Sequence, residues 1–181
     1  MREKQLPFKQ NEYDDRLLMT RTAMAMAGLD ALLVTDPSNQ AWLTGYDGWS
    51  FYVHQGVIVT QDADPMWWGR AQDTNGALRT VWMRDDCVIG YSDDHVQSDE
   101  KHPMEDLARH LDSLGIQNLG VEMDNYYFSA KAFSVLLQAL PGVGFADATA
   151  LAAMTEVRQQ VGNSKVPGLP GKAWQQAHKE A

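Results

Sequence analysis

A chain of 181 residues is long enough for one domain with a sizeable core, and 44% hydrophobic with 22% charged residues is ordinary for a globular protein. Fifteen Lys and Arg against twenty-four Asp and Glu leave a net charge of −9, which repels phosphate backbones and anionic membranes and argues against nucleic acid or membrane as a partner. The single cysteine, Cys87, cannot form an internal disulfide, and its apolar run Cys87-Val88-Ile89-Gly90 has the look of a buried strand in a reducing compartment.

Residues 1–11 read as an N-terminal arm. The start is basic, but Arg16, Arg21 and Asp30 interrupt every apolar window a secretory signal needs, and no stretch approaches the length of a membrane span. The expected location is cytoplasmic. From Glu12 the pattern is helical, with Tyr13, Leu17, Met24 and Ala27 on one face and Arg16, Thr20 and Arg21 mostly elsewhere, and Gly28 is placed to end the helix at positive φ. Residues 31–35 are almost wholly apolar between Asp30 and Asp36, as in a strand covered on both faces, and Asp36 or Ser38 can cap a short helix through Leu43. Two apolar runs, 56–60 and 65–68, flank the polar turn 61–64 and predict a hairpin. Residues 70–83 stay open between helix and turn, because Asn75-Gly76 interrupts an otherwise helical segment. A strand at 86–91, a polar loop at 92–102 and a helix opening at Pro103 and running to Gly115 follow. A strand at 119–123, an amphipathic helix at 129–140 and a short strand at 143–146 complete the pattern.

The unit of helix, glycine, apolar strand and Asp occurs twice, at 15–36 and 103–124, which argues for alternating elements around one sheet. With the hairpin added, the expectation is an α/β fold: a single domain over 12–158 with a mixed β-sheet flanked by helices. Residues 159–181 lose apolar periodicity and hold three glycines and two prolines between 161 and 171, so they read as a linker or disordered tail.

Chemistry concentrates at 36–56, where three glycines and five aromatics share one connection. Trp42, Tyr46, Trp49, Phe51, Tyr52 and His54 can wall a small-molecule pocket or an interface, while for any one ring, Trp42 and Phe51 above all, a core position at a strand end is the ordinary alternative. Asp93, Asp94, His95, Asp99, Glu100 and His102 cluster, but their spacing matches no helical ligand pair and suits a solvated acidic loop. Gly142-x-Gly144 lacks the third glycine of a phosphate loop, and no Ser or Cys has nucleophile context. No catalytic residue, metal ligand or cofactor is assigned.

Gly28-Leu29-Asp30-Ala31-Leu32-Leu33-Val34, Asp36-Pro37-Ser38-Asn39 and Leu43-Thr44-Gly45-Tyr46 together resemble the N-terminal domain of the creatinase/prolidase ("pita-bread") hydrolases. The runs 45–53, Trp68-Gly69-Arg70-Ala71-Gln72-Asp73 and 121–129 look most like the ectoine hydrolase branch, and the resemblance spans about 15–158. It implies a domain that mediates homodimerisation and sends a loop into a neighbouring subunit's active site, with the catalytic acids, bases and metal ligands in a separate C-terminal half whose motifs do not lie in this chain. The chain alone is therefore expected to be inactive. Creatinase contributes a Phe and an Arg from that loop; the matching positions are Phe51 and Val53, so recognition of a different small molecule is implied. The expected substrate-binding set is Trp49, Phe51, Tyr52 and His54, with Arg70 and Asp73 as an ion pair steadying the loop. An Xaa-Pro peptidase-type domain and a free-standing solute-binding module are the alternatives.

Overall fold

The apolar run at 31–35 becomes β1 (Ala31–Val34), all four residues buried, at the centre of a six-stranded sheet. The structure, a computed structural model, describes residues 4, 6–149 and 151. The predicted tail, 159–181, and most of the junction before it lie outside the described residues.

In chain order the elements are α1 (Gln10–Met26), β1, α2 (Pro37–Thr44), β2 (Gly56–Thr60), β3 (Met66–Arg70), α3 (Thr74–Thr80), β4 (Val88–Tyr91), α4 (Pro103–Ser113), β5 (Asn118–Val121), α5 (Ala130–Ala139) and β6 (Gly144–Asp147). The strand order is β4-β3-β2-β1-β5-β6. β2 runs antiparallel to both β1 and β3, and the other three pairings are parallel, so the sheet is mixed as expected.

Side chains alternate across the sheet with the period of two that a pleated strand imposes. Leu32, Val34, Val57, Val59 and Trp67 face one side, where Leu17 and Met24 of α1, Leu43 of α2 and Ala77 of α3 cover them. Ala31, Leu33, Ile58, Trp68, Leu119 and Val121 face the other, under Met104, Leu107 and Leu111 of α4 and Ala132, Val135 and Leu136 of α5. Both faces are covered, which is why β1 carries no polar residue.

Asp36 is the cap of α2: its carboxylate accepts from the backbone N–H of Ser38 at 2.8 Å and of Asn39 at 3.1 Å, with Pro37 in the first turn. Gly28 takes φ +68 and the amide of Leu29 reaches back to the Met24 carbonyl at 2.9 Å, closing α1.

Three expectations change, and the segment left open is decided. Arg16 and Thr20 belong to the buried face of α1, at 2% and 0% exposure, whereas Ala27 lies exposed beyond the last turn. Arg16 is tolerated inside because it donates to the Trp42 carbonyl at 2.8 Å, pairs with Glu12, and lies 4.1 Å from the ring centre of Phe8 in the arm. Residues 70–83 resolve into a 3-10 turn, Ala71–Asp73, followed by α3; burial of Ala77 against the core outweighs the helix-propensity cost of about 1 kcal/mol at Gly76. Cys87 is buried in a 3-10 turn, Asp85–Cys87, just ahead of β4 rather than in the strand.

Candidate functional site

β1 and β5 lie side by side and parallel, so the connections leaving their carboxyl ends meet. Glu122 ties them together. Its buried carboxylate accepts from the backbone N–H of Thr35 at 2.8 Å and of Asp36 at 2.9 Å, and from the side-chain amide of Asn39. Burial pushes the carboxyl above its usual range, and these three donors hold it partway back. Asn125 completes the knot, donating to the Thr35 hydroxyl at 2.8 Å and to the Glu122 carbonyl at 2.7 Å.

That knot sets where Tyr126 and Tyr127 stand relative to the connection 45–55. The connection leaves α2 through Gly45 at φ +81, and its first ring, Tyr46, is buried against Trp67 with centroids 5.1 Å apart. Gln55 donates to the Gly48 carbonyl at 3.2 Å and draws the loop closed. The outer rings then project: Trp49 is 59% exposed, Phe51 83% and Tyr52 60%, beside a fully exposed Tyr126. They are assembled rather than scattered, since Trp49 meets Phe51 edge-on at 6.3 Å and Tyr127 edge-on at 6.1 Å. Trp42, by contrast, is only partly exposed and packs against the core, while Phe51 is no core residue.

His54 turns inward from the end of this loop. Its ring lies 5.2 Å from that of His102, its carbonyl accepts from the Tyr91 hydroxyl at 2.8 Å, and burial, reinforced by His102, pushes its pKa down to about 4. Arg70 stands at the edge of the aromatic face close to Tyr52, but its partner is Asp93 at 2.7 Å rather than Asp73. Arg70 closes β3 and Asp93 follows β4; these strands run parallel, so their carboxyl ends coincide, whereas Asp73 follows in the 3-10 turn. Asp73 acts at longer range, its charge opposing ionisation of buried Tyr46 and Tyr91.

Trp49 and Phe51 thus form one outward cluster with Tyr127, exposed Tyr52 follows them with Arg70 close by, and His54 ends the loop on its inner side. The face has π surface and little charge, suited to covering a cation or an apolar partner surface rather than to moving protons. Val53 is buried at 9% exposure and adds nothing to it. In the acidic loop Asp94 pairs with Lys101 and His95, and His102 caps α4 by accepting from the Met104 N–H at 3.1 Å. No three His, Cys, Asp or Glu side chains converge to hold a metal ion among the described residues. Nor is any described helix long and apolar enough to cross a membrane.

Glu122, Asn125, Tyr126 and Tyr127 were not singled out from sequence. The run Val121-Glu122-Met123-Asp124-Asn125 carries the resemblance, yet nothing local says that Tyr127 touches Trp49, because the contact depends on β1 and β5 pairing across 87 positions of chain between Thr35 and Glu122.

The Creatinase/Prolidase N-terminal domain model matches residues 16–159. An ectoine hydrolase of Halomonas elongata is 54% identical over 149 residues, covering 81% of this chain and 37% of that protein. An uncharacterized hydrolase/peptidase of Sinorhizobium fredii is 40% identical over 149 residues, covering 81% of this chain and 38% of its own length. The chain therefore spans little more than a third of these curated relatives. Among solved structures, a proline dipeptidase of Streptococcus pneumoniae superposes with a TM-score of 0.63 at 22% identity, covering 79% of this chain and 96% of that one, which shows a shared fold.

Proposed function

We propose, since this chain belongs to the Creatinase/Prolidase N-terminal domain family, that it serves as the dimerisation and substrate-capping domain of an ectoine hydrolase-like enzyme. In this reading it binds and shields rather than transforms. Trp49, Phe51 and Tyr52 cover a small zwitterionic substrate held at a subunit interface, with Arg70 and Asp73 at the edge and His54 behind, while a separate catalytic half supplies C–N bond hydrolysis. The single observation that carries it is the outward cluster of Trp49 and Phe51 against Tyr127. A ring 83% exposed is unfavourable in water unless something covers it, and an electron-rich ring face suits the delocalised positive charge of a cyclic amidine. The identity to an ectoine hydrolase supports that substrate class over Xaa-Pro peptides.

Calorimetric titration of ectoine into the chain alone tests this division of labour. A cap that works only against a partner surface gives no heat of binding at micromolar ectoine. Because the rings are already assembled within one chain, a free-standing solute-binding module is the second reading. Micromolar binding lost on Phe51→Ala would establish that module and overturn the cap.

A further inference from the structure

A pair of histidines lies at the inner end of the aromatic loop. His54 ends the loop, and His102 precedes α4; their rings lie 5.2 Å apart and tilted by 41°. Three elements converge there. The Tyr91 hydroxyl at the end of β4 donates to the His54 carbonyl at 2.8 Å, the main chain of Tyr127 lies beside the His54 ring, and Trp49 packs on the Tyr127 ring. His102 has a second duty, because its Nδ1 accepts the Met104 N–H that opens α4. We propose that the His54–His102 pair is an acid-sensitive latch, which holds the aromatic loop against the α4 and α5 side of the domain when both rings are neutral and releases it when they gain protons.

The chemistry is direct. An imidazolium has no lone pair on Nδ1, so a protonated His102 cannot accept from Met104 and the α4 cap is lost. Two imidazolium rings at this separation also repel each other, and on the buried His54 side little water screens them. Lys131 of α5 adds to the repulsion at His102, and His95 in the loop after β4 adds to it when charged; Glu105 of α4 opposes both. No carboxylate is among the groups acting on His54, which faces His102 and the main chain of Tyr127. His102 borders an open depression of about 350 Å³ shared with Glu105 and Lys131, so protons and water reach His102 from that side.

His54 titrates near 4 in place but at the ordinary histidine value of about 6.5 once it regains water, so released conformations bind more protons and gain on the latched one as pH falls between those limits. Above that window the latch is closed and no further change is expected.

Hydrogen exchange by mass spectrometry on the full chain, corrected for the intrinsic pH dependence of exchange, tests the proposal. The Met104 amide, whose proton His102 Nδ1 accepts, should lose protection by at least about tenfold between pH 7 and pH 4 while the amides of β1 hold theirs, and the Trp49–Tyr127 ring contact should disappear from NMR cross-relaxation over the same range, since release is local. His54→Phe should abolish the change. His102→Asn, which keeps a capping oxygen but cannot titrate, should blunt it, and decides the matter if the first variant does not fold. The midpoint should be the same at protein concentrations a hundredfold apart, which separates release of the loop from dissociation of a dimer. Met104 protection and a Trp49–Tyr127 contact that ignore pH, a change that survives both substitutions, one that falls in step with β1, or a midpoint that shifts with concentration overturns the latch.

Discussion

Replacing Glu122 with Ala is expected to lower the free energy of unfolding by about 4 kcal/mol, because it strips the acceptor from several buried donors at once. The Thr35 and Asp36 amides and the Asn39 side chain have been desolvated to meet this carboxylate, and a methyl group returns nothing to them. Urea denaturation should show the loss as a midpoint lowered by about 2 M for a domain of this size. Glu122→Gln should fall between, at about 2 kcal/mol, since one amide oxygen cannot serve both sides and its NH2 must face a donor. The pH dependence is distinctive. Burial makes the folded state hold the Glu122 proton more tightly than the unfolded chain does, so this group favours folding most at acid pH and its contribution declines as pH rises through the window above 4.5. The gap between wild type and Glu122→Gln should therefore narrow as pH rises. A loss below about 1 kcal/mol for Glu122→Ala would mean that the two connections are not held by this knot.

Gly45→Ala should cost about 3 kcal/mol, and Gly28→Ala only about 1 kcal/mol, although both glycines sit at left-handed φ, +81 and +68. Left-handed strain is common to the two. What differs is the space: a Cβ at Gly45 would come within 2.8 Å of the Thr80 carbonyl and 2.9 Å of the Tyr13 hydroxyl, whereas at Gly28 nothing lies within 4 Å. The Thr80 carbonyl is backbone and cannot swing aside, so α3 must shift from α2 just where the aromatic loop begins. Thermal unfolding of the two variants side by side measures the difference. Equal losses would show that Gly45 is required for its φ alone, and would remove the close approach from the account.

How much of this was legible in the sequence follows from how local each signal is. Asp36-Pro37 announces a capped helix because all the atoms involved lie within three residues, and Gly28 announces an end for the same reason. The mixed sheet was legible from a hairpin set among helix-strand units. Arg16 was misplaced because helical periodicity assigns faces by polarity, and it cannot know that Phe8 and the Trp42 carbonyl converge on a guanidinium. Residues 70–83 stay open in the sequence because Asn75-Gly76 is a local turn signal inside a helical pattern, and burial of Ala77 on the sheet decides for helix. At the site, Trp49, Phe51 and Tyr52 were legible as a dense aromatic run that the core does not absorb. The pairing of Arg70 with Asp93 and the knot around Glu122 were not, since each joins the ends of different strands and exists only once the sheet has formed.

The proposed homodimer pairs through the loop that carries Trp49, Phe51 and Tyr52, beside the substrate that it covers, or through the adjacent hairpin, and sedimentation velocity across a concentration series tests it most directly. The account predicts a reversible dimer whose dissociation constant rises by about thirtyfold or more in Trp49→Ala with Phe51→Ala, since truncating aromatic anchors typically costs about 2 kcal/mol or more. A wild-type chain that sediments as a monomer at every concentration, or a dimer indifferent to both substitutions, would contradict it.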